Sequence, residues 1–181
     1  MRIAILGWGS LIWSPSGLPI TGVWQADGPI LPIEFSRVSS DGRLTLVIDT
    51  QNGSEVTTRY ALSSRNNLYE AVEDLGLREG TTIRQIGSVC VGNNELPNDP
   101  VIRIIVIWAK EVAMDAVVWT ALTSNFSEMT GNVFSVENAV AYLSDLHGET
   151  RLRALEYIRH APEEVETPVR RAVRIAFQTN H

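Results

Sequence analysis

The first half of the chain alternates short apolar runs with polar turns, a pattern that predicts β-strands joined by tight connections. An Asp41-Gly42 pair between two apolar runs is a typical hairpin signal. The strands predicted in this half span residues 3–6, 30–38, 43–49 and 56–62. We expect the last three to be neighbours in an antiparallel meander, because consecutive strands usually pair.

After residue 63 the apolar positions recur at helical spacing, which predicts an amphipathic helix over 64–77 with a serine cap. A strand over 81–91 and a polar loop over 92–100 follow, and the continuous apolar run 101–108 predicts a central strand. The remaining predicted helices span 111–122, 136–146 and 150–160, with a last one that starts at Pro168 under a Thr167 cap.

Strands first and helices later predict an α+β fold. We expect a mixed, largely antiparallel sheet, curled or closed into a small β-barrel and flanked by helices, with a helical C-terminal third. A length of 181 residues predicts a single domain over 1–181.

Composition and charge narrow the class of partner. With 44% apolar and 20% charged residues the chain has the composition of a globular protein, and a net charge of -6 without a basic stripe argues against nucleic acid and anionic membranes. The one cysteine, Cys90, cannot form an internal disulfide, which favours a reducing compartment, most simply the cytoplasm. No signal peptide or membrane-spanning segment is predicted.

The first candidate site is the loop that ends the first apolar run, Gly7-Trp8-Gly9-Ser10-Leu11. Closely spaced glycines let the backbone approach a ligand, and successive backbone N–H groups can hold a carboxylate, a phosphate or an oxyanion. The alternative is that Gly7 and Gly9 only supply positive φ angles for a tight connection.

The sequence does not favour most other known catalytic arrangements. The histidines at 147, 160 and 181 lack metal-ligand spacing, so no metal site is predicted, and the glycine pattern does not extend to a dinucleotide fingerprint. No Asp or His is placed by a known motif to activate Ser10. Cys90 lies within a predicted strand, which indicates a small buried thiol. No cofactor is therefore expected, and carboxylates become the main candidates for chemistry.

The carboxylate that stands out is Glu79 in Leu75-Gly76-Leu77-Arg78-Glu79-Gly80. Together with the loop Trp8-Gly9-Ser10-Leu11, it resembles the γ-glutamylcyclotransferase superfamily, which pairs a Tyr-Gly-Ser loop after the first strand with a glutamate after a helix. Tyr157-Ile158 and Thr167-Pro168 look like the late helices of that superfamily.

The resemblance implies a cofactor-independent reaction on a small γ-glutamyl amide. The α-amine of the substrate attacks its own γ-carbonyl, which releases 5-oxoproline and the attached amine or amino acid. Glu79 would be the general base and acid, and the loop from Gly7 to Leu11 would bind the glutamyl part. Glutathione, a γ-glutamyl amino acid and a γ-glutamyl amine all stay open as substrates.

Several alternatives stand beside this interpretation. Arg37 could pair with a substrate carboxylate if Phe35 and Arg37 share the inner face of their strand, or it could simply reach solvent. Glu79 could be a solvated surface residue, and Glu70 or Glu73 could supply the carboxylate instead. The protein could also be a non-catalytic module that binds a small anion or a partner, particularly if Trp8 fills the pocket, or an acyltransferase or amidase with Ser10 or Cys90 as nucleophile.

Overall fold

The structure is a computed structural model that describes residues 1–92 and 96–177. These residues form two sheets and six α-helices, which confirms the α+β class. The strands are β1 (Ile3–Gly7), β2 (Ile20–Gln25), β3 (Ile30–Val38), β4 (Leu44–Ile48), β5 (Ser54–Thr57), β6 (Arg59–Ser63), β7 (Ile86–Cys90) and β8 (Ala116–Thr120). The helices are α1 (Leu68–Glu79), α2 (Pro100–Glu111), α3 (Phe126–Thr130), α4 (Val136–Asp145), α5 (Gly148–His160) and α6 (Pro168–Ala176).

The chain divides into two compact units, each built from two separate stretches. The first comprises residues 1–31 and 57–122, and the second comprises residues 32–56 and the chain from 123 onward. The single domain expected over 1–181 stays a prediction. No helix in the described ranges is both long and apolar enough to cross a membrane.

The first unit contains a five-stranded sheet in the order β2-β6-β1-β8-β7. β1 runs parallel to β8, whereas the β1–β6, β2–β6 and β7–β8 pairs are antiparallel, so the sheet is mixed and largely antiparallel as predicted. The sheet is open, with β2 and β7 as its edges, and the predicted alternative of a small closed β-barrel is therefore wrong for the described strands.

Helix α1 packs on one face of this sheet. Its Ala71 and Leu75 join Ile3, Ile5 and Val118 in a buried apolar cluster. The helix predicted from the apolar period is confirmed, but it begins later than expected because the Asn67 side chain, rather than a serine, caps it by accepting from Tyr69 N. Gly80, in the left-handed conformation, ends the helix and leaves Arg78 and Glu79 in its last turn.

Two predicted elements of the first unit are wrong. The apolar run 101–108 lies in helix α2 rather than in a central strand, because the Asp99 side chain accepts from the N–H groups of Val101 and Ile102 and Pro100 takes the first helical position. The predicted helix 111–122 contains strand β8, whose Ala116–Thr120 segment is rich in β-branched and aromatic residues and is almost fully buried.

Three further predictions are corrected in part. The predicted strand 56–62 is divided between β5, next to β3, and β6, next to β1, so the meander is wrong. The predicted strand 81–91 begins as a short 3₁₀-helix, Ile83–Gln85, before β7. The predicted polar loop 92–100 falls partly on residues 93–95, outside the described ranges, and its last residue begins α2.

The second unit contains a three-stranded sheet in the order β4-β3-β5 and helices α3 to α6. The hairpin predicted at Asp41-Gly42 is confirmed, since β3 and β4 pair antiparallel around it. The predicted helix starts are also confirmed: Ser135 accepts from Asn138 N at the start of α4, and Thr167 accepts from Arg170 N at the start of α6. Four helices between residues 126 and 176 match the predicted helical C-terminal third.

Candidate functional site

The loop predicted to bind a ligand leaves the sheet at the carboxyl end of β1. Trp8, Gly9 and Leu11 are buried and Ser10 is partly exposed. The loop folds back on itself through hydrogen bonds from Ile12 N to Gly9 O (3.0 Å) and from Ser14 N to Ser10 O (2.9 Å). The side chain of Ser10 is connected to the predicted glutamate, Glu79, through Arg78.

Gly7 is required for a close approach rather than for a special backbone angle. Among the described residues, the glycines with positive φ lie at other positions, so the alternative interpretation of Gly7 as a positive-φ turn residue is wrong. A Cβ placed on Gly7 would lie 2.7 Å from Cζ3 of Trp24, well inside van der Waals contact. The indole of Trp24 therefore lies directly against the backbone where the loop begins.

Arg78 links Glu79 to this loop. Its Nη1 donates to Glu79 Oε1 (2.7 Å), and its Nη2 donates to Ser10 Oγ (3.1 Å) and to Ser14 O (2.7 Å). The side chains of Arg78 and Glu79 are only 13% and 17% exposed. The predicted base and the predicted loop thus belong to one hydrogen-bonded group, and Glu79 is not a fully solvated surface residue.

The environment of Glu79 favours its protonated form. Burial raises the pKa of the Glu79 carboxyl above its usual range, and the neighbouring Arg78 lowers the pKa only in part. Glu79 also occupies the last position of α1, and the negative end of a helix dipole acts in the same direction as burial. A carboxyl with a raised pKa can accept and return a proton near neutral pH, as general acid–base catalysis requires.

The buried polar atoms of the first unit that have no hydrogen-bond partner among the described residues include Trp24 Nε1, Arg78 Nε and Thr120 Oγ1. Buried polar atoms are nearly always paired, with the protein or with ordered water, so each unpaired one needs an explanation. Trp24 contacts the start of the loop and Arg78 contacts the loop itself. Thr120 is the last residue of β8, the strand that runs parallel to β1.

A second arginine stands at the same end of β1. Arg59 pairs with Gly7 across the antiparallel β1–β6 register, and directly opposite residues of such a pair direct their side chains to the same face of the sheet. The first unit therefore places two arginines, Arg59 and Arg78, where the glycine loop begins.

Arg37 has its partner within the second unit. Its Nη1 donates to the backbone O of Thr123 (2.8 Å). The register shifts between Glu34 and Arg37, so the simple alternation that would put Phe35 and Arg37 on one face does not hold, and Phe35 is buried while Arg37 is partly exposed. A role for Arg37 in binding a substrate carboxylate stays a prediction.

The other predicted candidates lie elsewhere. Cys90 is exposed on the edge strand β7, so the expectation of a buried thiol is wrong. Glu70 and Glu73 are exposed on α1, as a solvated helix face would be. His147 precedes α5, His160 is exposed, and His181 lies outside the described residues. In the described ranges no group of three or more His, Cys, Asp or Glu side chains could hold a metal ion.

Sequence reasoning did not single out Trp24, Arg59 or Thr120. Their proximity to the loop depends on the pairing of β1 with β6 and β8, strands that are far away in the chain. A local signal did exist for Arg78, which precedes the predicted glutamate, but its link to Ser10 could not be foreseen from spacing alone.

Comparison with known proteins identifies no relative: no protein-family model matches the chain, and no curated protein matches it.

Proposed function

We propose that the protein is a γ-glutamylcyclotransferase-type enzyme with Glu79 as its general base and acid. The observation that carries the proposal is the largely buried Glu79 carboxyl, which is joined through Arg78 to Ser10 in the loop after β1. The finer fold assignment, a γ-glutamylcyclotransferase-like domain, belongs to the same proposal and rests on the loop and glutamate motifs.

The proposed reaction requires only proton transfer and positioning from the protein. The α-ammonium of a γ-glutamyl compound gives a proton to the Glu79 carboxylate, and the free amine attacks the γ-carbonyl to form the ring C–N bond. When the tetrahedral intermediate collapses, the original amide C–N bond breaks and Glu79 returns the proton to the leaving amine, while the ring nitrogen gives up its second proton to solvent and keeps one as the lactam N–H. The products are 5-oxoproline and a free amine or amino acid, and Glu79 is regenerated as carboxylate.

The raised pKa of Glu79 suits both halves of this cycle. An α-amino group has a pKa near roughly 8, so an ordinary glutamate would be a weak base toward it. Burial narrows the pKa difference between the two groups, and a smaller difference eases transfer in each direction. The loop contributes by holding the glutamyl chain in the folded geometry that ring closure needs.

Two alternatives are less well supported. A nucleophilic mechanism through Ser10 needs a base next to its hydroxyl, but the side-chain partner of Ser10 Oγ is the Arg78 guanidinium, which cannot accept a proton. A non-catalytic anion-binding module is the stronger alternative, because Trp8 is buried at the loop and the two arginines could hold an anion without turnover.

The test is 5-oxoproline release from a panel of γ-glutamyl peptides and amines, with Glu79→Gln as the key variant. Glu79→Gln should lower kcat/KM by about 10²–10⁴-fold, the usual contribution of general acid–base catalysis. Glu73→Gln is the matched control, since Glu73 lies on the same helix but is exposed. Release that persists in Glu79→Gln would refute the assigned base, and no release from any panel member would favour the binding module.

A further inference from the structure

The second unit contains a cavity of about 370 Å³, a volume typical of sites for small molecules. It lies between the turn that follows β4 and the chain on either side of α3. Most of its lining residues carry a hydroxyl or an amide side chain, and Ile48, Val133 and Phe134 supply an apolar wall. All of the lining residues belong to the second unit, so the cavity is complete within that unit.

Asp49 is the only ionisable side chain among the described residues that line this cavity, and it is only 6% exposed. Burial raises the pKa of its carboxyl, but hydrogen-bond donors from Ser36, Asn52 and Gln51 outweigh burial and hold the pKa below its usual range. Asp49 is therefore ionised at neutral pH. Glu34 is also buried, but its pKa is raised and it does not line the cavity.

The chain supplies hydrogen bonds to the Asp49 carboxylate without neutralising its charge. Oδ1 accepts from Gln51 N (3.0 Å), Asn52 N (3.0 Å) and Asn52 Nδ2 (3.3 Å), whereas the one N–H donor to Oδ2 is Asn52 Nδ2 (3.1 Å). Asp49 forms no ion pair with any described residue, whereas Asp41 pairs with Arg43 (2.8 Å). An aspartate is rarely this buried unless its charge is paired, so we expect a cation from outside the chain.

The lining of the cavity selects the kind of cation. A metal ion such as Ca²⁺ takes about six to eight oxygen ligands, and several of them are usually carboxylates, but this cavity offers one carboxylate. An organic ammonium group needs fewer charged partners, because its N–H groups can also donate to hydroxyl oxygens such as those of Thr50 and Ser127. The aromatic ring of Phe134 attracts a cation as well, and the apolar wall suits an alkyl chain.

We propose that this cavity binds a small primary alkylammonium ion, with Asp49 as its counter-ion. The ammonium group donates to Asp49 Oδ2 and to the lining hydroxyl groups, and the alkyl chain lies against Val133 and Phe134. The inference goes beyond the proposed function and does not rest on it, because Glu79 and the loop after β1 belong to the first unit.

Two probes of nearly equal shape test the role of charge: n-butylamine, which is a cation at neutral pH, and the neutral alcohol 1-butanol. In NMR titrations of the full chain, n-butylamine should bind at least about tenfold more tightly, because hydrogen bonds to ionised groups are roughly twice as strong as neutral ones. The N–H signals of Gln51 and Asn52 should shift with n-butylamine, since both groups donate to Asp49. Equal affinity for the two probes would overturn the proposal.

Asp49→Asn removes the charge and keeps an acceptor oxygen for the turn. This variant should bind n-butylamine at least about tenfold more weakly and should bind 1-butanol nearly as before. Unchanged affinity for n-butylamine in the folded variant would show that Asp49 is not the counter-ion.

Ser127→Arg tests the cavity without changing the turn. Ser127 is an exposed residue of α3 that lines the cavity, so an arginine there brings a competing cation and should weaken n-butylamine binding by about tenfold. Met129→Arg is the matched control, because Met129 is exposed on the same helix but does not line the cavity. This pair decides the matter if Asp49→Asn does not fold, and an equal loss in both arginine variants overturns the proposal.

Calcium chloride distinguishes an ammonium site from a metal site. Ca²⁺ at the same concentration as n-butylamine should leave the binding of n-butylamine unchanged. If Ca²⁺ displaces n-butylamine and shifts the same N–H signals, the cavity is a metal site and the ammonium assignment is wrong.

Discussion

Arg78 and Arg170 are both arginines with largely buried side chains, yet the two units of the molecule use them differently. In the second unit, the Arg170 guanidinium donates to the backbone oxygens of Val165 (2.9 Å), Ala161 (2.5 Å), Pro162 and Arg159. In the first unit, Arg78 reaches Glu79, Ser10 and Ser14, and its Nε has no partner in the described chain. Arg170 is surrounded by acceptors that the fold itself supplies, whereas Arg78 keeps a donor available.

The buried carboxylates repeat this contrast. Burial raises the pKa of both Glu34 and Glu79. Glu34 accepts from the backbone N–H groups of Phe35 (2.7 Å) and Val169 (3.5 Å), so the chain satisfies it on both oxygens. Glu79 pairs with the Arg78 side chain and lies at a helix end that opposes its charge. A buried charge alone therefore does not indicate a functional site; the source of its hydrogen-bond partners does.

The largest loss of stability is expected for Arg170, because the chain itself supplies its hydrogen-bond acceptors. Arg170→Met removes the donors of four backbone oxygens, so the free energy of unfolding should fall by about 3–5 kcal/mol. Denaturant unfolding measures this change. Arg171→Met, an exposed arginine on the same helix, is the matched control, and an equal loss in both variants would contradict the structural role of Arg170.

Gly7→Ala tests the close packing of Trp24 against the start of the loop after β1. The new Cβ would lie 2.7 Å from the Trp24 ring, so the ring has to move and the free energy of unfolding should fall by about 1–3 kcal/mol. Gly92→Ala is the control, since an added Cβ there meets open space. Unchanged Trp fluorescence in Gly7→Ala would contradict the close approach.

A smaller change in stability, about 1 kcal/mol, is expected for Arg78→Met, together with a shift in pH dependence. The pKa of Glu79 is raised by burial and lowered by Arg78. The base has to be deprotonated to act, so kcat/KM should rise with pH through a pKa above that of an ordinary glutamate. Removing Arg78 should move this rise in kcat/KM to still higher pH, because Arg78 lowers the pKa of Glu79. If kcat/KM of Arg78→Met rises at the same pH as that of the unmodified protein, Glu79 is not the titrating group. Arg65→Met, which changes another arginine of the first unit, is the control.

The smallest change in stability is expected for a solvent-exposed arginine. Arg153 pairs with Glu149 one helical turn away on α5, and the two side chains are 60% and 72% exposed. Arg153→Ala should change the free energy of unfolding by less than about 0.5 kcal/mol, and high salt should reduce even that difference. A loss of stability comparable to that of Arg170→Met would show that burial does not explain the effect of removing Arg170.

Local signals predicted much of the fold. Asp41-Gly42, Ser135 and Thr167-Pro168 each act through their own backbone neighbours, and the elements they predict are present. The error at 101–120 arose because an apolar run that is buried on several sides fits a helix as well as a strand. Asp99-Pro100, a cap followed by a first-turn proline, carried the deciding signal.

The candidate site was predictable only in its local parts. The glycine loop and Glu79 belong to short motifs, and the structure connects them through Arg78. Thr120 and Arg59 reach the loop through strand pairs that join residues far apart in sequence, and Thr120 lay in a segment predicted as a helix. Periodicity gives no information on such pairing, so the donors around the loop had to come from the three-dimensional structure.

The parallel pairing of β1 with β8 also constrains the biosynthesis of the protein. β1 lies at the centre of its sheet, but the strand on one side of it comes from residues 116–120. Until these residues leave the ribosome, β1 has an unpaired edge and its apolar side chains lack β8, Val118 among them, as a neighbour. Contacts so distant in sequence form slowly, and exposed strand edges invite aggregation. A nascent chain that stops before β8 should therefore depend on chaperones far more than one that extends beyond it.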